Sequence, residues 1–180
     1  MILIGIDPGV TGAIAKIGHR GELLRCEDLP VMVRSSTRVP AKGGGRRDKV
    51  TNQINPSGLA EILREITSGY DKVEVHVVIE KCQAMPGKLK GSDKAQSSSG
   101  TFSLGLSAGI IEGVVAALGR PHSIVHPATW KAAMTVSGLD KGQVRAHAQR
   151  MYPEAPITRA KDHNRAEALL LARYGQGVHA

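Results

Sequence analysis

The chain has 180 residues, 41% hydrophobic and 22% charged, which suits one domain with a sizeable core and is tight for two. A formal net charge of +8 and a pI of about 9.8 suit a polyanionic partner such as nucleic acid. Two cysteines without a CxxC argue against a disulfide scaffold or a zinc site; with no long apolar run and no secretory signal, an intracellular protein of the cytoplasm or nucleoid, away from membranes, is expected.

The run Ile2 to Ile6 reads as a strand filled from both faces, and it ends in Asp7 before Pro8 and Gly9. A carboxylate there is costly to bury without a partner. The plainer reading is a turn aspartate bonding its own backbone. Ala13 to Lys16 and Glu22 to Asp28 read as two further strands, joined through His19-Arg20-Gly21. The stretch "VRSSTRVPAKGGGRRDKVTNQINPSG" is rich in Arg, Lys, Gly and Ser, and predicts a long flexible basic loop at about 34–55. "SGLAEILREITSG" has apolar residues at helical spacing, with Gly69 as its C-cap.

"KVEVHVVIEK" predicts a strong strand that begins near Val73 and ends in Glu80. A second flexible stretch, at about 83–100, carries Lys88, Lys90 and Lys94. "FSLGLSAGIIEGVVAALG" predicts a helix whose Gly105, Ala108, Gly109 and Gly113 let either the sheet or a second subunit pack close. "HSIVHP" reads as a short strand. Three helices complete the chain: "PATWKAAMTV", opened by Pro127, then "DKGQVRAHAQRMYP" and "DHNRAEALLLARYG". This order predicts a single α/β domain over 1–180, a mixed sheet of five strands flanked by helices.

Carboxylates interrupt three of these apolar elements. Asp7 and Glu80 end two strands that can be neighbours in a mixed sheet, and such a pair repels unless a cation or proton lies between. Asp162 and Glu167 open the last helix. They are five residues apart, about 140° around an ideal helix, and share one ion only if Asp162 lies at the cap. An oxygen-lined site of this kind suits Mg²⁺ or Mn²⁺. Two such ions could activate water and stabilise the leaving oxygen in phosphodiester cleavage. His163 shares a face with Glu167 and reads as a ligand, a proton shuttle, a phosphate contact or a solvated first-turn residue. Each acid also has a plainer reading: Glu80 paired with Lys81, Asp162 as an N-cap, Glu167 as a rim residue.

In order, "IGIDPGVTG", "VVIEK", "PATWK", "DKGQVRAHA" and "KDHNRAEALLLARYG" resemble the RuvC-type Holliday junction resolvases, within the ribonuclease H-like superfamily. The match runs from Ile4 to Gly175. "AMPG" and "SSSGTFSLGLSAGIIEG" look more like the phage-encoded and plant-organelle branches than the standard bacterial enzyme. The resemblance implies a ribonuclease H-like fold and a homodimer that binds four-way DNA junctions. It implies paired nicks in strands of like polarity with Mg²⁺, Mn²⁺ substituting, and two ions per active site. By motif, Asp7, Glu80 and Glu167 are implied as metal ligands, and Asp162 matches the acid before the last ligand in the organelle-type branch. The standard penultimate acid or histidine falls here on Asn164, so Asp162, His163 and Asn164 stay open for that role.

Lys131 and Lys141 match cations near the scissile phosphate, where they would stabilise charge developing in the transition state. Where bacterial members insert an aromatic at the junction this chain has Gln83, and Met85 is the apolar wedge nearest that place. One Phe and one Trp leave little base stacking. Affinity is therefore expected to rest on phosphate contacts from Arg34, Arg38, Lys42, Arg46, Arg47, Lys49, Lys88, Lys90 and Lys94, and to fall steeply with salt. The plainer reading of the glycine-rich loop is a disordered segment without a role. Two other classes compete: an actin-like nucleotide-binding module, since "DPGVTG" resembles its first phosphate loop, and a non-catalytic branched-DNA-binding protein on the same fold. Protection by ATP, or junction binding without cleavage, would separate them.

Overall fold

The computed structural model describes residues 1–83 and 98–179. Its strands are β1 (Ile2–Asp7), β2 (Ala13–Ile17), β3 (Leu23–Asp28), β4 (Val31–Pro40), β5 (Arg46–Ile54), β6 (Val75–Glu80) and β7 (His122–Val125). Its α-helices are α1 (Pro56–Ile66), α2 (Ser98–Ala117), α3 (Pro127–Ala133), α4 (Lys141–Met151) and α5 (His163–His179). Every residue of β1 is buried, as its unbroken apolar run requires, and this places it at the centre of a sheet ordered β3-β2-β1-β6-β7. β1 to β3 run antiparallel through short connections; β6 joins β1, and β7 joins β6, in parallel. The mixed five-stranded α/β sheet expected from the element order is thus the one observed.

Alternation along the strands splits the core in two. Leu3 and Val78 face α5, packing with Leu169, Leu170, Trp130 and Val144. Ile4, Ile6, Val77 and Ile79 face the other way, against Leu59 and Leu63 of α1 and Ile111 and Val115 of α2. Helix α5 lies directly on β1. A Cβ added at Gly5 would overlap the backbone oxygen of Ala168 and the backbone nitrogen of Ala172. Gly5→Ala must therefore push α5 off the sheet. We expect a loss of about 1–3 kcal/mol, the scale of core overpacking, measured by urea unfolding.

Three local expectations are corrected. The segment 34–55 is not a loop: β4 and β5 pair as an antiparallel two-stranded ribbon apart from the main sheet. Almost all of it is exposed, and only Ile54 at its root is fully buried, so no apolar alternation marks it in the sequence. Val73 is outside the valine strand, in a 3₁₀ turn at Lys72–Glu74, and is 77% exposed. Finally, Ser99–Ala117 is long and apolar enough to cross a membrane, contrary to the absence of such a run read from the sequence; Ile111 and Val115, fully buried, tie it to the sheet.

Candidate active site

β1 and β6 are parallel neighbours with Ile6 opposite Ile79, so Asp7 and Glu80 end the two strands side by side. Clefts at the carboxyl ends of parallel strands are the usual place for chemistry in open α/β sheets. The turn behind Asp7 is tight: a Cβ on Gly12 would overlap the carbonyl oxygen of Asp7. Glu167, on the first turns of α5, completes the acidic group. Asp7 is 9% exposed. Burial, then Glu167, then Glu80 push its pKa well above the ordinary aspartate value, against the opposing pull of Lys131 and Lys141. Burial also raises Glu80, partly offset by a hydrogen bond from Trp130, with Glu167 adding to the rise. An open cleft of about 390 Å³ reaches Asp7 and Glu167 of this group and is bordered as well by Thr11, Ser107, Lys141 and Asn164.

Two cations enter from the helices. Lys131 on α3 donates from Nζ to Glu167 Oε1 at 3.0 Å. Burial lowers the Lys131 pKa, but the Glu167 contact and the fields of Glu80 and Asp7 outweigh it, so the net shift is upward. Lys141 is the first residue of α4, set by a capping box in which Asp140 Oδ1 accepts from the Gln143 amide at 2.9 Å and Gln143 Oε1 accepts from the Asp140 amide at 3.0 Å. Lys141 Nζ lies 2.8 Å from His163 Nε2, while His163 Nδ1 lies 3.2 Å from the carbonyl oxygen of Ala160. A carbonyl only accepts and an ammonium only donates, so these partners assign the proton to Nδ1 and leave Nε2 accepting from Lys141. His163 is thus a support for Lys141.

Asp162 is drawn elsewhere. It ends a 3₁₀ turn, Ala160–Asp162, and its carboxylate accepts from the Arg159 amide at 2.8 Å and from Arg159 NH2 at 2.8 Å. Its pKa is lowered chiefly by that side-chain contact with Arg159. The expected approach of Asp162 to Glu167 at a shared cap does not occur, because Arg159, three residues earlier, turns the carboxylate back along the chain. Asn164 does line the cleft, with its amide nitrogen donating to Thr11. Neither cysteine offers a reactive thiolate: burial pushes Cys82 up to about 11 and Cys26 up to about 12.

Asp7, Glu80, Glu167, Lys131 and Lys141 are thus brought into one electrostatic group. Arg34 stacks on the Phe102 ring of α2 at 4.8 Å, and Arg38, Lys42, Arg46, Arg47 and Lys49 stand exposed on the ribbon. Met85, Lys88, Lys90 and Lys94 lie outside the described residues. Trp130 was not singled out from the sequence. It is fully buried, and its indole N–H donates to Glu80 Oε2 at 2.7 Å. The signal was present: the chain's one tryptophan directly precedes a candidate lysine. Ser103 and Ser107, four apart on a largely apolar helix, are two further cleft residues that helical spacing places on one face.

Among solved structures, a Thermus thermophilus RuvC in complex with a Holliday junction substrate superposes with a TM-score of 0.59 at 19% identity, covering 97% of this chain and 91% of its own. The chain has the ribonuclease H-like fold of RuvC. A second Thermus thermophilus RuvC structure gives a TM-score of 0.49 at 14% identity, with 99% and 96% covered. No protein-family model and no curated protein matches the chain.

Proposed function

We propose that this chain is a metal-dependent, structure-specific endonuclease that resolves four-way DNA junctions by paired nicks. The observation that carries this reading is that Glu80 and Glu167 act on the carboxylate of Asp7 at the end of the sheet, with Lys131 and Lys141 near enough to oppose them. The likeness to a RuvC that was solved on a Holliday junction supports the substrate class.

The donor set suits Mg²⁺ or Mn²⁺. It is all hard carboxylate oxygen, and burial and mutual repulsion leave Asp7 in want of positive charge. Among the described residues no three His, Cys, Asp or Glu side chains are already gathered at coordinating distance, with Glu80 engaged by Trp130 and Glu167 by Lys131. Asp7, Glu80 and Glu167 would hold the ions. When bound, such a pair of ions supplies an activated water and charge stabilisation at the leaving oxygen. The chain's own part is to hold Asp7 and Glu80 on strand ends and Glu167 on α5, and to set Lys131 and Lys141 where phosphate charge develops. Exposed cations of the ribbon take the phosphates of the duplex arms, as backbone contacts that position without reading sequence.

A homodimer is part of the proposal, and α2 is its surface. The sheet does not pack on the helix's glycines: among the described residues nothing lies within 4 Å of a Cβ added at Gly105, Gly109 or Gly113, and Phe102 beside them is 58% exposed. A second subunit is then the partner that can pack close. Gly109→Glu adds charge to this outer face without touching the core, and is expected to convert a dimer to a monomer in sedimentation velocity with the unfolding midpoint retained.

The deciding test is cleavage of a synthetic four-way junction and of a linear duplex of the same sequence, with Mg²⁺ and with Mn²⁺. Symmetric nicks confined to the junction support the proposal. Equal cutting of the duplex removes the junction claim, and tight binding without cutting removes the nuclease claim.

A further inference from the structure

An indole N–H can only donate, and in a buried ring it needs an acceptor. For Trp130 that acceptor is Glu80 Oε2, at 2.7 Å and fifty residues away in sequence. The ring is held firmly. Trp130 is 0% exposed, packed in the core between the sheet and α5. Its helix α3 begins with Pro127, and His126 Nδ1 accepts from the Ala128 amide at 3.2 Å. The residue after Trp130 is Lys131, which reaches Glu167. Consecutive side chains of one short helix thus grip the two glutamates of the acidic group.

We infer that Trp130 is the positioning residue of Glu80: its N–H occupies Oε2, fixes the carboxylate's rotamer and leaves Oε1 to take a divalent cation. This rests on the metal-site reading above. Glutamate has three side-chain torsions to order, and an anchor on one oxygen removes much of that freedom before any ion arrives. Outer partners of this kind typically change metal affinity or activity about 10- to 100-fold when removed.

The test is Mn²⁺ binding to the full chain, read from the electron paramagnetic resonance signal of the free ion, for wild type, Trp130→Phe and Glu80→Gln. Phenylalanine keeps an aromatic ring in the core but has no N–H. The expected result is a Kd weaker by about tenfold or more in Trp130→Phe, with a cooperative unfolding transition retained and Glu80→Gln at least as weak. An unchanged Kd in a folded Trp130→Phe overturns the inference and leaves the metal site standing. A wild type that takes up no Mn²⁺ overturns the metal reading itself, and this inference with it.

Should Trp130→Phe fail to fold, the wild type decides. Trp130 is the only tryptophan, so its emission reports this one place. A change in emission on saturation with Mg²⁺, absent in Glu80→Gln, supports the positioning role. Emission indifferent to saturating Mg²⁺ overturns it.

Discussion

Asp7→Asn is expected to abolish the proposed junction cleavage and at the same time to stabilise the metal-free chain. The loss of activity is expected to exceed about a hundredfold, beyond the usual effect of an outer partner, because Asp7 is the most buried of the three acids proposed to hold the ions. The gain in stability follows from burial. Asp7 is 9% exposed, and burial, Glu167 and Glu80 all oppose its ionisation. Replacing it with a neutral isostere should recover on the order of 1–3 kcal/mol, the scale of a poorly compensated buried polar group.

The sign shows in the pH dependence. Below about pH 4, Asp7 is protonated in both the folded and the unfolded chain, and its stabilising share is fully present. As pH rises the unfolded chain releases its proton first, because the folded pKa is the higher one. Stability then declines until pH has passed the folded pKa. Wild type should show this decline in urea unfolding without metal, and Asp7→Asn should lack it. Mg²⁺ at neutral pH should restore stability to wild type by mass action and do little for the variant. A variant no more stable than wild type at neutral pH would contradict the electrostatic account. Asp162→Asn is the contrast: its carboxylate serves Arg159, so Mn²⁺ affinity should stay at the wild-type value.

The second large effect concerns the ribbon. Six cations against one acid, Asp48, stand on β4, β5 and their turn, with Arg38 and Arg46 on one face and Arg47 and Lys49 on the other. The triple variant Arg46→Ala, Arg47→Ala, Lys49→Ala removes three exposed side chains and should leave unfolding unchanged. If each meets a phosphate, the slope of log K against log salt becomes shallower by up to about 3, at about 0.9 per contact. Affinity at moderate salt should fall for junction and duplex alike, while cleavage at saturating protein is retained. An unchanged salt slope would remove the ribbon from the DNA surface.

Much of the architecture was legible because it rests on local rules. β1 shows its double burial as an unbroken apolar run, α1 and α3 announce themselves with Pro56 and Pro127 at their openings, and α4 carries a capping box. Asp7 and Glu80 stood out because acids seldom end core strands without cause. The ribbon was not legible. Its strands satisfy one another's backbone and bury almost nothing, so no periodicity in side chains records the pairing.

Asp162 marks the limit of local reading. Its spacing to Glu167 allowed a shared cap, yet Arg159 sits close enough in the chain to claim the carboxylate first. The glycines of α2 allowed two partners, and only the packing of the other face, through Ile111 and Val115, excluded the sheet. The sequence by itself determined the elements of the main sheet and its helices, their order and the acids that end them, because propensity, capping and burial act over a few residues. Which donors Glu80 and Glu167 meet was decided by the tertiary structure alone: Trp130 and Glu80 share a hydrogen bond across fifty residues, and a contact of that span leaves no mark in local pattern.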